Sequence, residues 1–268
     1  MARSCSGWST ANYFSRADTA ISNEPITMAC WFRPSALTAN MVLMHLGDGT
    51  GTSAGYRLLV DGATANDPVV ASKTTAGSAK SASVASTGIA NGTWALLAGV
   101  FTSTTRRDIY IVPTLGGTLF TNFNTTSAGD PVVTVQTIGA RQQTTITAPA
   151  AGSIAVPTIW TAALSVDEVT ALGGGVHPAR IRPTSIARAW WNPTAGSRLV
   201  DFSGGQNILT LTGTVTDDAF GPPVEPFPFY YPQPWMSNSP EIGVAAGGNA
   251  VGVGLTHSVA LSRRRLAA

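Results

Sequence analysis

Three groups of residues in this chain of 268 carry chemistry beyond packing. The carboxylates are Asp48, Asp61 and Asp67 in turn-rich stretches, and the adjacent pair Asp167 and Glu168. The imidazoles are His45, His177 and His257. The third group is an aromatic run, Phe227, Phe229, Tyr230, Tyr231 and Trp235, with the basic triplet Arg263, Arg264 and Arg265 further on. Two carboxylates held ~5 Å apart can cleave a glycosidic bond. Six to eight converging oxygens can hold calcium. Aromatic side chains spaced by prolines can fill partner pockets, because the fixed proline φ lowers the entropy lost on docking.

The first two kinds of chemistry find little support. Asp167 and Glu168 are neighbours on an expected helix, so their side chains face different directions. Ser165 with Glu168 three residues on is a capping box, and both acids suit the positive end of that helix. No expected strand carries two carboxylates on one face, as a glycosidase site requires. No nucleophile-elbow glycines surround a serine, and His177 before Pro178 reads as a loop residue. Asp48, Asp61 and Asp67 read as loop caps that do not converge on a metal. Cys5 and Cys30 are too few for a disulfide framework or a metal site, and read as small buried hydrophobes. The expectation is a chain that is not an enzyme, with no metal and no cofactor.

The elements that position these residues are strands. In Ile26–Pro34, Ile26, Met28, Cys30 and Phe32 share one parity and Trp31 takes the other, so both faces are largely apolar. Pro34 cannot donate to a ladder and stops the run. This strand is expected at the middle of a sheet. An edge-like segment, Ala11–Arg16, precedes it. Met41–Leu46 and Tyr56–Val60 follow, the latter closed by the turn dipeptide Asp61-Gly62. Pro68–Ala71 and the Ser/Ala run to Val84 read as weaker, exposed strands. Trp94–Phe101 and Arg107–Val112 form a hairpin across a short polar turn. Leu115–Phe123, Val132–Ile138 and Gly152–Trp160 continue the series, with Pro157 marking an edge or bulge. One short helix starts at Ser165, with Val166, Val169 and Leu172 as its apolar face and Gly173 at its end. Ser185–Trp191 and Asn207–Thr212 return to strands and are expected to pair with the N-terminal ones. Trp31, Trp94 and Trp160 are expected inside. The fold class is all-β, an antiparallel jelly-roll sandwich with one short helix.

Composition sets further bounds. Hydrophobic residues make up 44% and charged residues only 11%, so Thr, Ser, Asn and Gly must carry the surface. The net charge of +2 is spread along the chain, with one short basic run, which argues against nucleic acid as a partner. No apolar run approaches the ~20 residues of a membrane helix, and no apolar leader follows Met1. Near Gly221 the composition changes. Seven of the 17 prolines fall between Pro222 and Pro240, interleaved with the aromatic run, and Gly243–Gly254 is rich in Gly, Ala and Val. The chain is therefore divided into a sandwich, residues 1–220, and an extended C-terminal arm, residues 221–268.

Four blocks resemble the laminin-G-like, concanavalin-A-like jelly rolls, and they occur in the order those domains have. They are Ile26–Pro34, Gly92–Phe101, Ile138–Arg141 and Gly152–Leu172, within a resemblance that covers residues 8–215. Two departures stand out. Ala155-Val156-Pro157 replaces an acidic pair that precedes the last strand, which removes support for a calcium site, and His45 stands where Ser or Lys is usual. Residues 159–214, with Gly173-Gly174-Gly175-Val176-His177-Pro178 and Ala189-Trp190-Trp191, resemble the laminin-G-like proteins on heads and tails of tailed bacteriophages. That resemblance implies a virion structural protein on the particle surface, made in the host cytoplasm and anchored by its arm. Its expected partners are capsid or tail proteins, bound through Phe227, Phe229, Tyr230, Tyr231, Trp235, Arg263, Arg264 and Arg265. A homo-oligomer and a glycan are compatible with it, and no membrane is implied. The alternative is a carbohydrate-binding adsorption module of a tail fibre or bacterial surface. A shallow platform with an exposed Trp or Tyr beside polar loop residues would favour that alternative.

Overall fold

The computed structural model describes residues 4–225 apart from 18–20, 22, 38, 53, 63–66, 75–76, 86–87, 192–199, 202, 204–206, 208, 219–220 and 223. In chain order the strands are β1 (Ser4–Ser6), β2 (Tyr13–Ala17), β3 (Ile26–Pro34), β4 (Asn40–Gly47), β5 (Gly55–Asp61), β6 (Asp67–Lys73), β7 (Lys80–Ser83), β8 (Ala95–Ser103) and β9 (Arg106–Val112). They continue with β10 (Phe120–Asn124), β11 (Val135–Ile138), β12 (Arg141–Gln142), β13 (Ile146–Thr147) and β14 (Gly152–Trp160). Helix α1 (Val166–Gly173) follows, then β15 (Ile186–Trp191), β16 (Val200–Asp201), β17 (Thr210–Thr212) and β18 (Thr216–Asp218).

Two antiparallel sheets face one another. One runs β10-β9-β8-β3-β14-β1-β18, with β15 and β16 attached through β14. The other runs β17-β2-β11-β4-β5-β6-β7. Strand β3 lies in the middle of the first sheet, between β8 and β14, as its two-sided apolar pattern requires. Its alternation sorts side chains between two cores. Met28, Cys30 and Phe32 enter the layer between the sheets with Phe14, Leu43, Leu58 and Ile111. Ala29 and Trp31 face outward into a second cluster with Trp160, Val169, Leu172 and Val224. Each such side chain, fully removed from water, contributes about 1.5–3 kcal/mol.

Helix α1 closes the second cluster. The Ser165 side chain accepts from the Glu168 backbone, and the Glu168 carboxylate accepts from Ser165 N–H at 2.7 Å, which completes the capping box. Val169 and Leu172 are buried, whereas Val166 is 49% exposed and belongs to the solvent side. Its place in the first helical turn turns it away from the sheet, so the apolar face is narrower than the sequence spacing implies. Thr27 Oγ1 donates to the Ala162 carbonyl at 2.6 Å and accepts from Leu164 N–H, tying the strand to the segment before the helix. Trp160 donates its indole N–H to the Ile181 carbonyl at 2.8 Å.

Several elements differ from the sequence expectation. Strand β2 is interior, between β17 and β11, so Ala11–Arg16 is no edge. Strand β6 is flanked on both sides, and Val70 and Ala71 are buried. Strand β15 pairs with β14 and β16 instead of the N-terminal strands, while β17 does pair with β2. Pro157 lies in a bulge between Ala155 and Thr158 within an interior strand, with Val156 at φ 49°. Trp31 and Trp160 are enclosed, but Trp94 is only half-buried against the second cluster. Pro222 and Val224 are buried, the Glu225 N–H donates to the Gly175 carbonyl at 2.9 Å, and Glu225 pairs with Arg180 at 3.0 Å. Packing on the sandwich thus reaches residues counted with the arm on composition. Among the described residues no helix is long and apolar enough to cross a membrane.

Candidate functional site

Where β3 ends and β14 begins, the first sheet opens into a shallow, solvent-open cavity of about 640 Å³ with mixed polar and apolar walls. Its walls are Ser6 at the end of β1 with Gly7 after it, Arg33 to Ser35, the loop residues Asn91 and Gly92, and Gly152 with Ser153. Sequence dictates each part locally. Pro34 terminates β3, so the chain turns away and leaves Arg33 at the mouth. The Gly92 N–H donates to the Pro34 carbonyl at 2.8 Å, which pins the preceding loop beside that mouth. Gly152 has φ 147°, and a Cβ there would come within 2.2 Å of the Arg33 carbonyl, so only glycine lets β14 begin this close to β3.

Arg33 is the polar centre of the cavity. Its guanidinium carbon lies 5.3 Å from the Trp94 ring centroid, and its Nη2 donates to Ser153 Oγ at 3.4 Å. A guanidinium over a half-buried indole, beside hydroxyl and amide side chains, combines a cation–π contact with directional hydrogen-bond donors. The volume lies within the ~300–1,000 Å³ of small-ligand sites. The sequence reading assigned Trp94 to the core and missed Arg33, Asn91 and Ser153 altogether. One signal was present: Arg33 is the charged residue in an otherwise apolar strand, at the position before its terminating proline.

The residues singled out on the sequence fall elsewhere. Phe227, Phe229, Tyr230, Tyr231, Trp235, His257, Arg263, Arg264 and Arg265 lie outside the described residues. Asp48 accepts from the Thr50 backbone at 3.0 Å and from the Thr50 and Thr52 hydroxyls, as a loop cap does. Asp61 and Asp67 face one another across the β5–β6 ladder. His177 accepts from the Ala179 N–H at 3.1 Å at the start of a short 3₁₀ turn. Burial, with Arg180 nearby, pushes its imidazole down to about 4. Cys5 and Cys30 are free and buried, and burial pushes the Cys30 thiol up. Among the described residues no group of three or more His, Cys, Asp or Glu is placed to hold a metal ion.

One carboxyl pair was invisible in the sequence. Glu24 contacts Asp130 through a side-chain hydrogen bond and sits beside the Tyr56 hydroxyl. Burial first, and then Asp130, push the Glu24 carboxyl up to about 7.

Comparison with known proteins adds the following. The profile of the concanavalin A-like lectin/glucanases superfamily matches residues 9–170. No curated protein matches the chain at a significant level. Among solved structures, a candidate carbohydrate binding protein from Bacteroides ovatus is similar at 16% identity and a TM-score of 0.58, over 84% of this chain and 62% of that one. This chain thus spans less than two thirds of that protein. The heptameric SAP-like pentraxin of Limulus polyphemus is similar at 15% identity and a TM-score of 0.51, over 78% and 93% of the two chains. The CBM40 domain of the Ruminococcus gnavus IT-sialidase is similar at 14% identity and a TM-score of 0.49, over 61% of this chain and 94% of that domain.

Proposed function

Because the chain belongs to the concanavalin A-like lectin/glucanases superfamily, we propose that it is a carbohydrate-binding module whose sugar site is the Arg33–Trp94 cavity. The observation that carries this reading is an open depression lined by Arg33, Ser35, Asn91 and Ser153, whose Arg33 guanidinium lies over the neighbouring Trp94 ring. It places a half-buried indole next to polar residues of the depression, a combination that fits a sugar-binding sandwich better than a purely structural one. A pyranose presents one apolar face and a ring of hydroxyls. The indole edge and guanidinium plane suit the face, while Ser35, Asn91 and Ser153 suit the hydroxyls. The carbohydrate assignment of the Bacteroides ovatus structure supports the same reading. Binding without catalysis is part of the same proposal, supported by a pocket lining that holds no carboxylate. A virion surface, on a tail fibre, is the setting we propose for the module, with the residues of the arm as its attachment.

The test is titration with the oligosaccharides that a glycan array selects. Trp94→Ala should weaken binding about tenfold, the ~1.4 kcal/mol expected for losing an aromatic stacking contact. Arg33→Gln should weaken it as well. Unchanged affinity in both variants would remove the cavity as the site.

A further inference from the structure

Among the described residues, the second sheet carries positive charge without a paired carboxylate on the face turned away from the core. Alternation along β4 and β5 sends Met44, Leu46, Tyr56 and Leu58 into the core. His45 and Arg57, directly opposite one another in the ladder, go to the other face. Thr137 of β11 continues the row beside His45, and Ala71 of β6 continues it beside Arg57. The imidazole lies over Gly47 and Gly55, where a Cβ at Gly47 would come within 2.2 Å of the ring. The β12–β13 hairpin folds back over this face. The Val42 N–H donates to the Ala148 carbonyl at 2.9 Å, and the Ala150 N–H donates to the Gly139 carbonyl at 2.8 Å. Strand β12 packs against β4, which brings Arg141, at the start of the hairpin, within electrostatic reach of His45 and Arg57.

Among the described residues, this arrangement holds little counter-charge. Arg57 is only 8% exposed, and its Nε has no hydrogen-bond partner among the described residues. The Gln142 side-chain oxygen is likewise buried without a partner. Arg141 donates from Nε to Thr147 Oγ1 at 3.0 Å, a neutral acceptor. The near carboxylate is Asp48, which the Thr50 and Thr52 hydroxyls occupy. Burial, with Arg141 close by, pushes the Arg57 guanidinium down to about 10. Burial, with Arg57 and Arg141, pushes His45 down to about 3, so it adds no charge near neutral pH. A buried guanidinium with free donors is costly unless an anion or polar acceptor completes it.

We propose that Arg57 and Arg141, beneath the 141–147 hairpin, form a second binding site that takes the carboxylate of an acidic sugar. A guanidinium presents paired parallel N–H donors that match a carboxylate in bidentate fashion, which makes a carboxylate the best-fitting guest. The anion half of this assignment stands on the arginine pair alone; the sugar half rests on the glycan-binding reading above. The site lies on a different sheet from the Arg33–Trp94 cavity, so the two can be tested apart.

The experiment is a ¹H–¹⁵N NMR titration of the full chain at constant ionic strength and neutral pH, with sodium glucuronate, methyl glucoside and sodium sulfate as probes. Glucuronate should shift the amides of β4, β5 and the 141–147 hairpin, and methyl glucoside should leave them in place. Arg141→Gln, a change at the half-buried member of the pair, should weaken glucuronate binding at least ~10-fold, and Arg57→Gln should do the same. Trp94→Ala should leave it unchanged. Equal shifts from methyl glucoside, a response to sulfate but not to glucuronate, or full glucuronate affinity in Arg141→Gln would each overturn the assignment. Loss of neutral-glycan binding at the cavity with the glucuronate response intact would instead count against the first site alone.

Discussion

Glu24 keeps its proton to about pH 7 because burial and Asp130 both oppose ionisation, whereas the same carboxyl in the unfolded chain ionises near 4.5. Between those values the folded state binds more protons than the unfolded state, so stability falls as pH rises. The contribution is complete below pH 4.5 and lost as pH passes 7. With the carboxyl half-buried and screened by solvent, the loss should be on the order of 1–2 kcal/mol. Urea unfolding at pH 5 and pH 8 measures it, and Glu24→Gln should flatten the difference; an unchanged pH slope in the variant would refute it. Residues like these were hard to find in the sequence. The Ser165–Glu168 box is local, and its spacing alone disclosed it. Glu24 with Asp130, Arg33 with Ser153, and Arg57 with Arg141 meet only after distant strands pair, and no spacing rule joins them.

Strands β3, β8 and β9 were legible because their apolar runs are long and bounded by prolines or polar turns. Strand β6 was not, since its small side chains look like an exposed edge. The structure gives the reason: the two sheets approach so closely that a Cβ at Gly99 would lie 2.6 Å from a Val70 methyl. Gly99 of β8 thus makes room for Val70, which buries β6 against the facing sheet. Strand order also escaped the sequence, because sandwich pairings are non-local and alternation fixes faces without fixing neighbours. The helix is the element most open to a direct test. Ser165→Ala removes the acceptor for the Glu168 N–H and keeps the backbone N–H that donates to the Glu168 carboxylate, which also holds Arg182. The substitution should cost about 1 kcal/mol, read as a lower urea midpoint with an unchanged m-value. No change in midpoint would mean that the helix is held by Val169 and Leu172 alone.

At the scale of the whole molecule, the sandwich and the sugar site should separate from the arm, with the dividing line after Glu225. Val224 is buried beside Trp160 and Leu172, so a chain cut after Phe220 should lose about 1.5–3 kcal/mol, whereas one cut after Glu225 should unfold like the full chain. Differential scanning calorimetry of the two fragments decides this; equal melting temperatures would show that Val224 adds nothing. If the arm residues Phe227, Phe229, Tyr230, Tyr231 and Trp235 attach the module to a particle, the fragment 1–225 should fail to join particles while keeping its ligand. The central claim is that the Arg33–Trp94 cavity binds carbohydrate, and the most direct measurement is a glycan array probed with fragment 1–225 beside its Trp94→Ala variant. The account predicts a defined set of bound glycans for the fragment and their loss in the variant. A fragment that binds no glycan, or a variant with the same profile, would contradict it.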